Sequence, residues 1–222
     1  GSIHRISHFS EIIVPIMAIL YILLALFIIG INITKLPDVI VLIVSDAFDF
    51  SSAIGGGMGM AMLMGIKRGL FSNEAGEGSA PNVAATASVS HPVKQGLIQT
   101  LAVYTDTLIV CSCTAFIIIF SGIYNNGSTG IELTQNALQQ EVGSIGSSFV
   151  AVAIFLFAFT SIVGNYYYGE TNIQFITQRK WVLNVYRLAV GAMVMIGAVS
   201  QLDFVWALAD ITMGLMTLCN LI

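Results

Sequence analysis

DAFDFSSAIGGGMGMAMLMGIKRGLFSNEAGEGSAP, residues 46–81, opens as an apolar run and breaks where a membrane helix is most regular. Gly55, Gly56, Gly57 and Gly59 crowd together beside Ser51 and Ser52. Each glycine costs about 1 kcal/mol against alanine in a helix interior. Four so close together predict a helix that opens. Open backbone at membrane depth is tolerated only where protein buries it or where it lines a cavity. Discontinuous helices of that kind build the substrate sites of secondary transporters. The other reading is a glycine face that lets a second helix pack closely; on the residues alone both stand.

The rest of the chain sets the environment. It has 222 residues, 56% hydrophobic and 9% charged, with mean hydropathy +0.88. A soluble domain carries about 25% charged residues. The apolar runs are continuous and near the length of about 20 residues that a membrane helix needs. The expected architecture is therefore all-α and polytopic, a single transmembrane domain over 1–222. Six spans are expected, at 11–32, 39–66 (broken near 51–59), 93–122, 149–168, 183–200 and 204–222. Loop 67–92, with a short helix expected over 83–89, and loop 123–148 join them. Within the second loop ELTQNALQQEV has helical spacing, with Leu133, Ala137, Leu138 and Val142 on one side. The chain opens on Gly1-Ser2 without an initiator Met, and it reads as a piece of a longer sequence.

The cations orient the spans. With six alternating spans, Arg5, Lys67, Arg68, Lys94, Arg179, Lys180 and Arg187 fall on one side and only Lys35 on the other. The positive-inside rule then places the amino end in the cytoplasm and loop 123–148 outside.

Intramembrane acids are functional candidates by default. Asp46 and Asp49 precede the glycine break, Asp106 lies in the third span and Asp210 in the sixth. For Asp106 a structural hydrogen bond to a neighbouring helix competes with ion coupling; for Asp210 a gate or packing role comes before a ligand role. Thr160-Ser161 stands mid-span, with Gly164 one turn on. Such hydroxyls can ligate a small hard cation, or can bond back to their own helix. Cys111 and Cys113 are spaced i, i+2 and point to different faces, and with Cys219 they make no zinc pattern. The chain lacks GxxxxGK[ST], HExxH and GxSxG, and no basic patch speaks for nucleic acid.

GIKRGLFSNEAGEGSAPNVAATA and the following HPVKQGLIQTLAVYTDTLIVCSCTA, with FTSIVGNYYYGE at 159–170 and VWALADITMGLMTLCNLI at 205–222, strongly resemble the alanine or glycine:cation symporter family, the sodium:alanine symporters. The resemblance implies a LeuT-type fold of two inverted repeats. This chain would hold the second repeat and the helix before it, and its partner would be the amino-terminal repeat. The family's activity is sodium-coupled amino acid symport by alternating access, with no enzyme chemistry and no cofactor beyond the co-transported sodium ion.

Residue by residue, the resemblance gives Phe48, Ala53, Ile54, Gly55, Gly56, Gly57 and Met58 to a small amino acid substrate. Gly164 and Asn165 join them, although related chains often carry Trp where Asn165 stands. Thr160 and Ser161, with Phe157, would hold sodium. Asn73 and Glu74, in SNEAGEGSAP, would satisfy helix ends at an inner gate. Asp49, Asp106 and Asp210 remain gate or coupling candidates. Proton coupling within the same fold is the nearest alternative, and it would rest on Asp49 or Asp106. A channel would need a continuous polar file, and a membrane-embedded enzyme a His/Asp or metal cluster. The polar residues instead gather near one depth, and His4, His8 and His91 lie outside the spans.

Overall fold

The computed structural model describes residues 3–47 and 57–222, with side chains over 11–46 and 63–222. Every regular element among them is helical. Five helices are long and apolar enough to cross a membrane: Glu11–Ile31, Pro92–Ser121, Ser144–Ile176, Lys180–Val199 and Leu202–Leu221. Contacts divide the chain into two compact units, Gly1–Asn73 with Thr100–Thr160, and Glu74–Gln99 with Ser161–Ile222.

The first unit contains α1 (Ile3–Ile31), α2 (Leu36–Ala47), α3 (Gly57–Asn73), a π-helical segment (Thr105–Cys111), α6 (Ser112–Ser121), α7 (Gly130–Val142) and the beginning of α8 (Ser144–Ile176). Its core is a seam along α1 and α6, covered by α7. Ile28, Ile117 and Leu138 are fully buried there, and Ala25 and Ala137 let the backbones approach. Val142 and Ile154 pack against the same cluster. The helical spacing seen in ELTQNALQQEV thus becomes a helix whose Ala137 and Leu138 enter the core. Cys113 is buried in it, while Cys111 is exposed.

Polar ties fix this core. Tyr21 Oη and Thr114 Oγ1 lie 2.6 Å apart, joining α1 to α6. Asn32, just past the end of α1, is 7% exposed. Its Nδ2 donates to the Ile28 carbonyl at 3.1 Å and to Glu141 Oε2 at 2.6 Å. A buried polar group left without its partner costs about 1–3 kcal/mol. Asn32→Leu is therefore expected to lower the unfolding temperature by several degrees and expose α7 to proteolysis first. An unchanged melting curve would show that the α1–α7 tie contributes nothing.

The second unit contains α4 (Ala80–Ala84), the first turns of α5 (Pro92–Tyr104), the rest of α8, α9 (Lys180–Val199) and α10 (Leu202–Leu221). No residue of α9 or α10 is buried, and these helices present Leu188, Met195, Val199, Ile211 and Leu221 outward. Between α8 and α9 the Tyr166 and Tyr186 rings stack 5.7 Å apart. Tyr186 donates to the Tyr166 carbonyl at 2.9 Å, and Arg187 pairs with Glu170 at 2.6 Å. Gly169 makes room for this clamp, because a Cβ there would strike the Tyr186 ring.

Several boundaries differ from the sequence reading. The helix begun in the second span continues past Ile66 to Asn73. The fourth span extends from 149–168 to Ser144–Ile176. At 1.5 Å per residue its 33 residues make about 50 Å, well beyond the apolar thickness of about 30 Å. The short helix expected over 83–89 lies at Ala80–Ala84, started by Pro81 in its first turn; turn and irregular chain follow it up to Pro92.

Candidate functional site

The glycine break divides at the limit of the description. Phe48, Asp49, Ala53, Ile54, Gly55 and Gly56 lie outside the described residues. From Gly57 the backbone is helical, so Gly57 and Met58 start α3.

α8 carries the hydroxyl pair. Thr160 is half-buried and donates to the Phe157 carbonyl at 3.0 Å. Phe157 and Thr160, both assigned to sodium by resemblance, are thus bonded to each other. Ser161 is exposed, and its hydroxyl has no partner among the described residues. Its carbonyl accepts Asn165 Nδ2 at 3.0 Å. One turn on, a Cβ at Gly164 would meet nothing within 4 Å. Phe157, Thr160, Ser161, Gly164 and Asn165 thus follow one another along α8.

Asp106 belongs to a different cluster. It sits in the π-helical segment, where the helix widens by one residue. Ser72 Oγ donates to Asp106 Oδ2 at 2.6 Å. Asn73 Nδ2 donates to Thr107 Oγ1 at 2.8 Å, and that hydroxyl lies 3.1 Å from Asn73 Oδ1. The last turn of α3 is thereby fastened to the π segment. Asn73 bonds a side chain here instead of capping a helix end. Asp210 stands half-buried in α10.

Past Asn73 the chain turns sharply. Glu74 has φ 50°, Gly76 φ 84° and Gly78 φ 82°. A side chain at such φ values is unfavourable; at Gly78 a Cβ would also crowd Asn220 at 3.2 Å. Glu74 Oε2 accepts from Ser79 Oγ at 2.7 Å, and Gly76 O accepts from Asn220 Nδ2 at 3.1 Å. The turn carries Glu77 inward to 8% exposure. Burial, with the Glu74 carboxylate nearby, pushes the Glu77 carboxyl above the usual glutamate range.

The model of the sodium:alanine symporter family matches residues 1–222. The chain belongs to the sodium:alanine symporter family. It is a multi-pass membrane protein. Over its full length it is 54% identical to the probable sodium/glutamine symporter GlnT of Bacillus subtilis (strain 168), covering 47% of that protein. It is 36% identical to the sodium/alanine symporter AgcS of Methanococcus maripaludis, covering 49% of it. It is 39% identical to the sodium/proton-dependent alanine carrier protein of Bacillus sp. (strain PS3), covering 54% of it. The chain thus spans about half the length of these relatives.

The sequence names Asp106, Asn73 and Thr160-Ser161 as candidates, but its reading passed over three features of the structure. These are the π segment, the burial of Glu77 and the asparagines around it. The signal for the first was the polar triplet Thr105-Asp106-Thr107 inside an apolar span. The signal for the second was an acid between Gly76 and Gly78.

Proposed function

We propose that this chain is part of a symporter that couples a small neutral amino acid, alanine or glycine, to sodium by alternating access across the cytoplasmic membrane. Membership of the sodium:alanine symporter family is the observation that carries the reading. In it the Thr160 and Ser161 hydroxyls and the Phe157 carbonyl serve sodium, and the glycine break from Phe48 to Met58, with Gly164 and Asn165, serves the amino acid. A small hard cation asks for neutral oxygen ligands at close range, and a hydroxyl pair beside a helix carbonyl supplies them. The amino acid needs backbone N–H and C=O groups for its two charged ends, which an opened helix offers without a buried ionised side chain. The amino-terminal repeat of the same protein supplies the rest of both sites. The amino end of this chain lies in the cytoplasm and loop 123–148 outside, as the distribution of cations argues. Symport requires only that sodium and the amino acid both favour the same conformation.

The test is uptake of radiolabelled alanine by the full-length protein in liposomes, with and without an inward sodium gradient. Uptake is expected to require sodium and to be competed by glycine. The name of the Bacillus subtilis relative makes glutamine the competitor to include. Uptake that ignores sodium and follows a proton gradient would instead favour the proton-coupled reading, to which the name of the strain PS3 carrier and the placing of an acid, Asp106, inside the membrane-length helical run Pro92–Ser121 lend support.

A further inference from the structure

Loop 74–79, α4 and the last turns of α8 and α10, all within the second unit, line a cavity of about 640 Å³. Its single acid is Glu77, and no Lys, Arg or His lines it. Glu77 is more than nine-tenths buried, and its Oε1, shielded from solvent, meets no hydrogen-bond donor among the described residues. Such an oxygen asks for a donor or a positive charge, because a buried polar atom without a partner is unfavourable.

The neighbours have committed most of their side-chain donors elsewhere. Asn82 Nδ2 donates to the Gly78 and Ser79 carbonyls at 3.2 and 3.0 Å. Asn172 Nδ2 donates to the Tyr168 carbonyl at 2.8 Å and to Asn82 Oδ1 at 3.0 Å. Asn165 Nδ2 and Asn220 Nδ2 donate to the Ser161 and Gly76 carbonyls at 3.0 and 3.1 Å. The Ser79 hydroxyl is turned to Glu74. Each amide nitrogen faces a carbonyl, so none of these amides can be turned over without setting two oxygens together. What the polar lining has left for a ligand is largely acceptors: the Oδ1 atoms of Asn165, Asn172 and Asn220, and the Glu77 carboxylate. Leu215 and Met216 supply the apolar part of the wall. An anion would meet the like charge of Glu77 in a lining where acceptors outnumber the donors left over. A cation would find a counter-charge and neutral oxygens.

We propose that this cavity binds a small cation, either a sodium ion or the ammonium group of an amino acid, with Glu77 as its counter-charge. The site is separate from Thr160-Ser161 in its residues, and it stands whether or not that pair holds sodium. It lies beside the turn that joins α3 to α4, so a cation bound there would tie the turn to the ends of α8 and α10.

The experiment uses the full-length protein in nanodiscs, carrying Thr160→Ala and Ser161→Ala so that the hydroxyl pair contributes no cation site. The unfolding temperature is followed while choline chloride is replaced by sodium chloride or by methylammonium chloride at constant ionic strength. Sodium-22 binding is measured alongside. At least one of the two cations is expected to raise the unfolding temperature, and Glu77→Gln to weaken that response at least about tenfold in concentration, an energy of about 1.4 kcal/mol. Glu77→Asp, which keeps the charge, is expected to retain a weakened response, and this separates lost charge from a lost fold. A response to sodium alone assigns an ion site; a response to methylammonium as well assigns an ammonium site. Absence of any cation response, or a response unchanged in Glu77→Gln, would overturn the proposal, and neither outcome would bear on sodium-coupled uptake by the unaltered protein.

Discussion

Thr160→Ala with Ser161→Ala is expected to raise the sodium concentration for half-maximal alanine uptake by about tenfold to a hundredfold, because hydrogen bonds and ligands to a charged partner contribute about 1.5–3 kcal/mol and each 1.4 kcal/mol is about tenfold. The two positions differ in what else they do. Thr160 donates its hydroxyl proton to the Phe157 carbonyl at 3.0 Å, which leaves the lone pairs of its oxygen free to face an ion. Ser161 has no such bond among the described residues, and it is exposed. Either single change should therefore carry part of the loss. Neither change should lower the unfolding temperature in sodium-free buffer, since back-bonding of Thr or Ser to its own helix slightly destabilises helices. Thr160→Ser keeps a hydroxyl and should restore sodium affinity. Uptake by the double variant with unchanged sodium dependence would remove this pair from the sodium site.

The membrane class was legible because composition and run length are local quantities. A chain with 9% charge and long apolar runs has few soluble alternatives. Helix ends were less legible, because hydropathy reports the part of a helix that faces lipid. Beyond Tyr168, α8 continues through Thr171 and Asn172, whose side chains bond the carbonyls of Tyr167 and Tyr168 at 2.8 Å each. These side chains find partners within their own helix, and a hydropathy reading takes the polar stretch for a loop. α3 runs on to Asn73 because Ser72 and Asn73 find Asp106 and Thr107, 34 residues away. No local pattern announces such partners.

Glu77 makes the same point at the level of a site. Asn73 and Glu74 nearby drew attention through the family resemblance, as residues that would satisfy helix ends at an inner gate. Burial of Glu77 depends instead on the conformation of Gly76 and Gly78 and on Asn220, which reaches Gly76 across 144 positions of sequence. Glycines at alternate positions can be read as a tight turn. Which side chain that turn buries is decided by the helix packed against it.

Asp106→Asn is expected to keep sodium-driven uptake near the level of the unaltered protein, whereas Asp106→Leu is expected to abolish it. The 2.6 Å bond from Ser72 needs an acceptor at position 106, and Asn retains one. Leu leaves the Ser72 hydroxyl without this partner and removes the shortest of the side-chain ties between α3 and the π segment. A hydrogen bond of this kind contributes about 0.5–1.5 kcal/mol, and its loss falls where a widened turn already departs from regular helix. Since α3 begins at Gly57, within the glycine run, movement of its far end is transmitted along a rigid helix to the region assigned to substrate. If Asp106 exchanged a proton in the transport cycle, the order would differ: Asn would abolish proton-driven uptake as completely as Leu while leaving the unfolding temperature unchanged. Uptake under sodium and proton gradients, measured with the melting curve of each variant, separates the two roles. Full loss of uptake in Asp106→Asn with an intact melting curve would make Asp106 a coupling residue; uptake preserved in Asn and lost with stability in Leu makes it the fastening between α3 and the third span.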